Sequence, residues 1–457
     1  MLKSLSAPTD MTKGAPWKSI ILFTLPMLIG NIAQQLYSTV DSIVVGNYVG
    51  DNALAAVGSA MPILNMLLVL FIGISSGASI MTSQYFGAKN REALSKTVGN
   101  SITVTAIASL LLMLVASPLI TPVLKMLNTP DSILEWCSDY LMISLIGIAG
   151  MAYYNILSGI IRGLGDSFSA LVYLLVATVI NIGLDIYFVA GLKMGVAGVA
   201  LATVIAQIVS SILCLIKLAK MREYFDFGLK YLKPEKKYVL TIIKLGLPSG
   251  LTQAIMSSAM IIVQSLTNRF GELFIAANVV IMRVDGFAMM PNFSFGMALT
   301  TYAGQNVGAR RMDRVISGAK QGTLIAVICS TVITGVILIF GKSLMGIFTN
   351  TQELVDKSYY LMKILAIGYI AMAVTQSLSG IMRGAGDTMT PMWISLITTV
   401  CFRVPVAYGI SYLTRSAQLP FGRSECIQIS LVLSWLLGAM VTAIFYRMGK
   451  WKNKAID

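Results

Sequence analysis

Apolar runs of roughly 20 residues, separated by short polar stretches, recur along the whole chain. A run of that length is what an α-helix needs to cross a membrane core about 30 Å thick. We count about twelve such runs, centred near residues 28, 67, 108, 148, 179, 206, 252, 287, 330, 369, 401 and 436. The first run lacks a cleavage site, so we interpret it as a retained helix. The pattern predicts an all-α integral membrane protein with twelve transmembrane helices.

The two halves of the chain resemble each other. "LSGIIRGLGDS" at 157–167 returns as "LSGIMRGAGDT" at 378–388, 221 positions later and with eight of eleven residues identical. "SQYFGAK" at 83–89 faces "GQNVGAR" at 304–310 at the same offset. Self-similarity at one fixed offset indicates duplication. Because each half holds six helices, an even number, both enter the membrane from the same side as parallel repeats.

The duplication predicts the domain boundaries. We expect an N-terminal six-helix bundle over 1–216, a basic cytoplasmic linker over 217–239, a C-terminal six-helix bundle over 240–450 and a cytoplasmic tail over 451–457. Two similar bundles suggest alternating access, in which a substrate bound between or within the halves is exposed to each side in turn.

The repeated stretch ends a helix with Arg162 or Arg383 and continues into a Gly-x-Gly-Asp turn. Glycine suits the left-handed conformation of a helix C-terminus, and Asp166 or Ser167, and in the second copy Asp387 or Thr388, can cap the next helix. A structural turn with charge anchors and a gating role, in which Arg–Asp contacts between the halves close the inner face, both remain open.

Few ionisable residues lie inside the predicted spans, and such residues are functional candidates because they are costly in a membrane. They are Asp41, Asp185, Arg283, Asp285 and Arg403, with Lys244 close to a helix end. Arg283 and Asp285 are two positions apart and do not face each other on one helix. Pairing with another helix and substrate or gating work are both open for them.

The acidic candidates are accompanied by polar neighbours at helical spacing. Gln34, Tyr37, Ser38 and Asp41 share one face of the first span, and Asn181 and Asp185 share one face of the fifth. Thr203 lies in the sixth. At about 1.5 Å per residue, Asp41, Asp185 and Thr203 all fall in the outer half of the membrane, so they could meet in one pocket.

Two desolvated carboxyls close together favour a bound proton, and the same oxygens with Asn181 and Thr203 could hold Na⁺ instead. Hydrogen bonding between packed helices is the alternative role. In the second half, Asp185 falls on Val406, Asn181 on Phe402 and Asp41 on Ile262 or Val263. A structural role common to both halves therefore does not explain the acids. As residues lining a substrate cavity we select Gln34, Tyr37, Asn155, Met290 and Asn292.

Composition and charge agree with a membrane protein. The chain is 56% hydrophobic and 12% charged, and it carries a net charge of +14. If the N-terminus is cytoplasmic, 23 of the 34 Lys and Arg residues fall in inside segments and eight in outside loops. This bias predicts a multi-pass protein of the cell membrane with both termini inside. Topology and contact with membrane lipid account for the charge, so no nucleic-acid partner is needed.

Histidine is absent and the five cysteines are scattered. A zinc site or a Ser-His-Asp or Cys-His catalytic centre is therefore excluded, and no nucleotide-hydrolysis motif is present. We expect a protein that is not an enzyme, has no cofactor, binds no metal apart from Na⁺ at the four candidate residues, and acts as a monomer.

These residues resemble a known family. The first-span pattern "LP…Q..Y..VD", the "RG.GD" turns and the "NI.LD" of Asn181 to Asp185 are similar to multidrug and toxic compound extrusion (MATE) transporters, closest to the prokaryotic DinF-type branch. The resemblance implies ion coupling by Asp41, Asp185, Asn181 and Thr203, and export of cationic amphipathic compounds in exchange for H⁺ or Na⁺. The acid of the NorM-type seventh helix is missing from "LPSGLTQAIMSS".

The leading hypothesis is therefore a secondary-active multidrug exporter. A flippase for lipid-linked precursors, in the same broad superfamily, is the alternative, although the acidic and polar cavity candidates suit a pyrophosphate poorly. A membrane enzyme or receptor is disfavoured by the absence of histidine, metal-ligand clusters and soluble domains.

Overall fold

The computed structural model describes residues 8–127 and 129–456, with every side chain in these ranges except those of Ser38 and Asp51. Within these ranges the chain is helical and forms no strand. Ten helices are long and apolar enough to cross a membrane, and two bent helix pairs bring the number to twelve. The predicted all-α fold with twelve transmembrane helices is confirmed.

We number the spans α1 to α12, treating each bent pair as one span with segments a and b. They are α1 (Pro16–Tyr48), α2 (Asp51–Gly87), α3 (Arg91–Ala116, continued by Ile120–Met126), α4a (Asp131–Ile146), α4b (Ile148–Gly163), α5 (Ser167–Asp185), α6 (Gly195–Lys220), α7 (Lys236–Thr267), α8 (Glu272–Gly308), α9 (Met312–Gly346), α10a (Gln352–Ala366), α10b (Gly368–Gly384), α11 (Met389–Ser395, then Arg403–Leu413) and α12 (Cys426–Met448).

The backbone repeats with the same offset as the sequence. Three pairs of residues with positive φ are 221 positions apart: Gly50 and Gly271, Lys89 and Arg310, and Gly165 and Gly386. Asp166 accepts a hydrogen bond from the Ser169 amide at 2.8 Å, and Asp387 accepts one from the Thr390 amide at 3.3 Å. Asp166 and Asp387 are therefore the capping residues of the repeated turn, and the glycine before each supplies the left-handed conformation.

The fourth and tenth spans are bent, by 50° and 44°. The helix is interrupted at Gly147 in the fourth span and at Ile367 in the tenth, and Gly368, 221 positions after Gly147, follows the second interruption directly. A Cβ atom on Gly147 would overlap Val204, and one on Gly368 would overlap Trp435. The bends therefore coincide with points where a neighbouring helix packs directly against the backbone.

Small residues allow two helix pairs to cross closely. In α10b, a Cβ on Gly380 would overlap the Gly296 carbonyl of α8. At the equivalent crossing, a Cβ on Gly159 of α4b would lie 2.5 Å from Ser75 Oγ of α2. Membrane helices associate through such small-residue contacts because lipid offers no hydrophobic driving force for packing.

Two compact units divide the described chain. The first unit holds Leu25–Gly250 and the described residues before Met11, and the second holds Met11–Thr24 and the described residues from Leu251 onward. α1 and α7 therefore change unit along their length, close to their internal prolines Pro26 and Pro248. The sequence predicts a boundary inside the linker, whereas packing places it farther along the chain, within α7.

The linker after α6 packs on α3 within the first unit. Arg91 donates to the backbone carbonyls of Arg222 and Glu223 and forms an ion pair with Asp226 at 2.8 Å. The hydrogen bond from Arg91 lowers the pKa of the Asp226 carboxyl. Asn100 accepts from the Glu235 amide at 2.7 Å. The basic connector is thus held by specific polar contacts to α3.

Candidate functional site

One face of α1 carries the first part of the polar cluster. Tyr37 and Asp41 are 7% and 5% exposed, whereas Gln34, one turn earlier, is exposed. The side chain of Ser38, predicted to share this face, lies outside the described residues. The structure therefore turns Tyr37 and Asp41 inward, within the part of α1 that belongs to the first unit.

α5 supplies the second part of the cluster. Asn181 and Asp185 are one turn apart, and both are fully buried. Asp185 is the last residue before a π-helical turn, Ile186–Gly191. π turns interrupt the regular hydrogen-bond ladder and are frequent at functional sites. The carboxylate is thus placed where the helix changes its winding.

The Asn181 amide joins the two carboxylates. With its nitrogen turned towards them, it donates to Asp41 Oδ1 at 2.8 Å and to Asp185 Oδ2 at 3.1 Å, while its oxygen accepts from the Thr203 amide at 3.3 Å. The opposite orientation of the amide would place its oxygen against the carboxylate oxygens, which repel it. Tyr37 Oη donates to Thr203 Oγ1 at 3.1 Å. The four residues predicted for ion coupling are therefore in one network.

The network leaves one carboxylate oxygen without a partner. Asp185 Oδ1 is buried and accepts no hydrogen bond from the described residues. The Asn181 amide nitrogen donates one hydrogen bond to each carboxylate. Neither carboxylate forms an ion pair with a cationic side chain within the described part of the chain. Because an isolated buried charge is costly, this arrangement favours a bound proton or cation at the pair.

Tyr140 is a neighbour of the network that the sequence did not single out. It lies on α4a, is 2% exposed, and is within electrostatic range of Asp41 and Asp185. Its hydroxyl approaches Met61 Sδ at 3.9 Å. Tyr140 could have been found in the sequence because it shares a helix face with Cys137 and Leu141, which are both buried.

The residues predicted to line a substrate cavity have different surroundings. In the first unit, Tyr37 belongs to the carboxylate network, and Asn155 donates to the Met151 carbonyl of its own helix at 2.8 Å. In the second unit, Asn292 is 1% exposed and Met290 is half-buried. Lining of a common cavity by these residues stays a prediction.

The residues predicted for pairing or gating also differ from one another. Arg283 is exposed on α8, while Asp285 accepts a hydrogen bond from the Tyr369 hydroxyl of α10b at 2.9 Å. Arg162 donates to Ser158 Oγ at 3.3 Å, and Arg383 lines a cavity of about 70 Å³. Asp166, the acid of the first Gly-x-Gly-Asp turn, forms an ion pair with Lys217 at 3.1 Å rather than with either of these arginines among the described residues.

No group of three or more His, Cys, Asp or Glu side chains that could hold a metal occurs in the ranges that the structure covers. Any cation at Asp41 and Asp185 would therefore use two carboxylates together with amide, hydroxyl or backbone oxygens. That donor set consists of hard oxygen ligands, which suit a proton or an alkali cation rather than a transition metal.

Comparison with known proteins agrees with this architecture. Among solved structures, a MATE crystallised in complex with MaL6 superposes with a TM-score of 0.89 at 24% identity, covering 96% of this chain and 97% of the other. Structures of MATE in the bent and in the straight conformation give the same TM-score and identity. At this identity the likeness shows the fold.

Curated relatives cover nearly the whole chain. The probable multidrug resistance protein YoeA of Bacillus subtilis is 31% identical over 454 residues, covering 97% of this chain and 96% of the relative. The probable multidrug resistance protein NorM of Thermotoga maritima is 24% identical, covering 96% and 94%. The multidrug export protein MepA of Staphylococcus aureus is 24% identical, covering 94% and 96%.

The MatE family model matches the chain twice, at residues 26–187 and 248–409. The second match begins and ends 222 residues after the first, so the two matches separate the two repeats. Together they cover more than half of the chain. The protein therefore belongs to the multidrug and toxic compound extrusion (MATE) family of membrane transporters.

Proposed function

We propose that this protein is a secondary-active multidrug exporter that moves cationic amphipathic compounds out of the cell in exchange for H⁺ or Na⁺. The single observation that carries the coupling is the bridge made by Asn181, which donates to both buried carboxylates, Asp41 and Asp185. Membership of the MATE family and the relatives, which are named multidrug resistance and multidrug export proteins, support the substrate class.

The coupling step follows from the cost of two negative charges in a dry site. When both carboxylates are ionised, repulsion and burial favour uptake of a proton or Na⁺. Asp185 Oδ1, the oxygen without a hydrogen bond, is the natural acceptor for the proton. For Na⁺, the Asn181 amide would have to rotate so that its carbonyl, together with Thr203 Oγ1, joins the carboxylate oxygens around the cation. Neutralisation on one side of the membrane and release on the other would drive alternating access.

Placement in the cell follows from the charge distribution. The excess of Lys and Arg in the segments on one side of the predicted topology supports the cell membrane with both termini in the cytoplasm. The proposal needs membrane lipid and small cationic substrates as partners. It requires neither an organic cofactor nor nucleic acid, and it treats the functional unit as a monomer with no catalytic activity.

The test uses the full chain reconstituted in vesicles. A pH gradient or a Na⁺ gradient is imposed separately, and efflux of a panel of cationic dyes is followed. We expect one of the two gradients to drive efflux, and Asp41→Asn or Asp185→Asn to abolish it while the protein still inserts. Asp139→Asn is the matched control, because Asp139 is an exposed carboxylate on α4a of the same unit. Wild-type efflux in either network variant would contradict the proposed coupling site.

A further inference from the structure

A cavity of about 340 Å³ lies wholly within the second unit. Its lining comes from α7, α8, α10, α11 and α12, between Gln253 and Trp435. This volume is at the lower end of the range of small-molecule sites, about 300–1,000 Å³. The residues around it, among them five methionines, form an adaptable apolar wall that is interrupted by a few polar groups.

Charges of both signs line this cavity. Asp285 extends from α8 and Arg403 from α11, and both are half-buried. The two lie within electrostatic range, but no direct ion pair joins them among the described residues. Because an ionisable group in a membrane span is costly unless it is paired, two opposite charges that share a cavity without touching indicate a site for something that bridges them.

Two buried polar atoms of residues that line this cavity lack hydrogen-bond partners among the described residues. They are Arg403 Nε, a donor, and Gln428 Oε1, an acceptor, and Gln428 is 2% exposed. The nitrogen of Gln428 is already used, since it donates to Asn278 Oδ1 at 3.3 Å. Buried polar groups are normally satisfied, so an unused donor and an unused acceptor define what a ligand should offer.

The charged positions are specific to the second half of the chain. α2 lies between Gly50 and Lys89, and α8 lies between their counterparts Gly271 and Arg310, so the two helices align without a gap at the 221-residue offset. In this alignment Asp285 corresponds to Leu64 and Asn278 to Val57. Arg403 follows a π-helical turn, Leu396–Phe402, and its counterpart is Asn181 or Ile182, neither of which is charged. The common scaffold therefore folds without this pair, just as it folds without the acids of the first unit.

We propose that this cavity is a second small-molecule site, which takes a zwitterionic amphipathic compound with its cationic group at Asp285 and its anionic group at Arg403. Gln428 Oε1 accepts a hydrogen bond from the cationic end, and Arg403 Nε donates to the anionic end. The apolar body of the ligand packs among the methionines and Trp435. A ligand with both charges neutralises both walls at once, which a singly charged compound cannot do.

The site is tested by binding to the purified full chain, without any transport. Three fluorescent probes share one apolar body and are compared at about pH 6, where the α-amino group is protonated also in an ester. Nε-dansyl-L-lysine is then zwitterionic, its methyl ester is cationic, and its Nα-acetyl derivative is anionic. We expect saturable binding of the zwitterion at least tenfold tighter than binding of either analogue. Equal affinity for all three, or no saturable binding, would overturn the proposal.

Isosteric variants assign the two ends. Asp285→Asn keeps an acceptor for the Tyr369 hydroxyl and should abolish the preference for the zwitterion over the Nα-acetyl probe. Arg403→Gln should abolish the preference for the zwitterion over the ester. Arg403→Lys keeps the positive charge and should retain this preference, so it tests the anionic end even where the glutamine variant does not fold. Glu272→Gln is the matched control, because Glu272 is an exposed charge at the start of α8, the helix that carries Asp285. Unchanged preferences in both variants, or their loss in Asp41→Asn instead, would contradict this location.

Discussion

Asn292 connects three helices of the second unit. Its Nδ2 donates to the Tyr369 carbonyl of α10b at 3.2 Å, and its Oδ1 accepts from Ser330 Oγ of α9 at 2.7 Å. All three residues are almost fully buried. Tyr369 in turn donates to Asp285, so Asn292 supports the wall of the cavity in this unit without lining it.

We expect Asn292→Leu to destabilise the protein by about 1–3 kcal/mol, because buried partners lose their hydrogen bonds. The melting midpoint of the purified protein in detergent measures the effect. Adding Ser330→Ala to this variant should lower the midpoint by less than the sum of the two single changes. Thr331→Val is the control, since Thr331 is exposed and its hydroxyl donates to the Val327 carbonyl of its own helix. Altered transport at an unchanged midpoint would instead favour a substrate contact at Asn292.

The role of a buried polar residue such as Asn292 could not be predicted from the sequence alone. Asp41 and Asp185 could be found because a carboxylate is conspicuous in an apolar run, and helical spacing then brought in Asn181 and Tyr37. A buried asparagine in a span gives the same signal whether it binds a ligand or two neighbouring helices. Tyr140 was missed because aromatic residues are common in membrane helices for many reasons. The packing partner decides the role, and it lies far away in sequence.

At the scale of helices, the close crossing of α8 and α10b depends on glycine. A Cβ atom on Gly380 would overlap the carbonyl of Gly296, and one on Gly384 would overlap that of Thr300. Gly335 on α9 has open space where its Cβ would be. The two kinds of glycine therefore predict opposite effects of the same substitution.

Gly380→Ala should lower the melting midpoint, because the two helices must move apart and lose contacts along the crossing. Gly335→Ala should leave the midpoint unchanged or raise it slightly, since alanine is about 1 kcal/mol better than glycine inside a helix. Thermal denaturation of the two purified variants beside the wild type decides the matter. Equal shifts in both would mean that the crossing tolerates a methyl group.

Apolar run length was sufficient to predict the helices, but not their irregularities. The runs near 148 and 369 were predicted as spans, and the structure bends both at their centres. The π-helical turns of α5 and α11 were likewise absent from the prediction. Glycine inside an apolar run is compatible with a straight helix, a close crossing or a bend, and only the neighbouring helix distinguishes them.

At the scale of the whole molecule, the boundaries of the two compact units do not coincide with the boundaries of the two sequence repeats. The start of α7, Lys236–Gly250, belongs to the first unit, where it packs against α2. The Gly77 Cβ position meets the Ile242 carbonyl, Gly73 packs against Gly246, and Ser76 Oγ donates to Ser249 Oγ at 3.1 Å. Likewise, Met11–Thr24 belongs to the second unit, where the Met11 amide donates to Gln305 at 2.9 Å. The duplication accounts for six helices in each repeat. Packing determines which unit the first segments of α1 and α7 belong to.

This division predicts where the chain can be cut. A fragment of residues 1–235 lacks the α7 segment of its unit and leaves the glycine surface of α2 uncovered. A fragment of residues 1–250 includes that segment. We therefore expect the longer fragment to purify as a more monodisperse species with a higher melting midpoint, because additional close contacts with α2 are formed.

A single substitution separates packing from mere length. Gly77→Leu in the 1–250 fragment places a side chain where the Ile242 carbonyl lies, so the fragment should behave like 1–235. Gly58→Leu is the control on the same helix, because its Cβ position is open. Co-expression of 1–235 with 236–457 should restore a stable complex, since each fragment then supplies the helix start that the other unit requires. If the two halves purify separately and are each as stable as the intact chain, the exchange of α1 and α7 segments contributes nothing to folding.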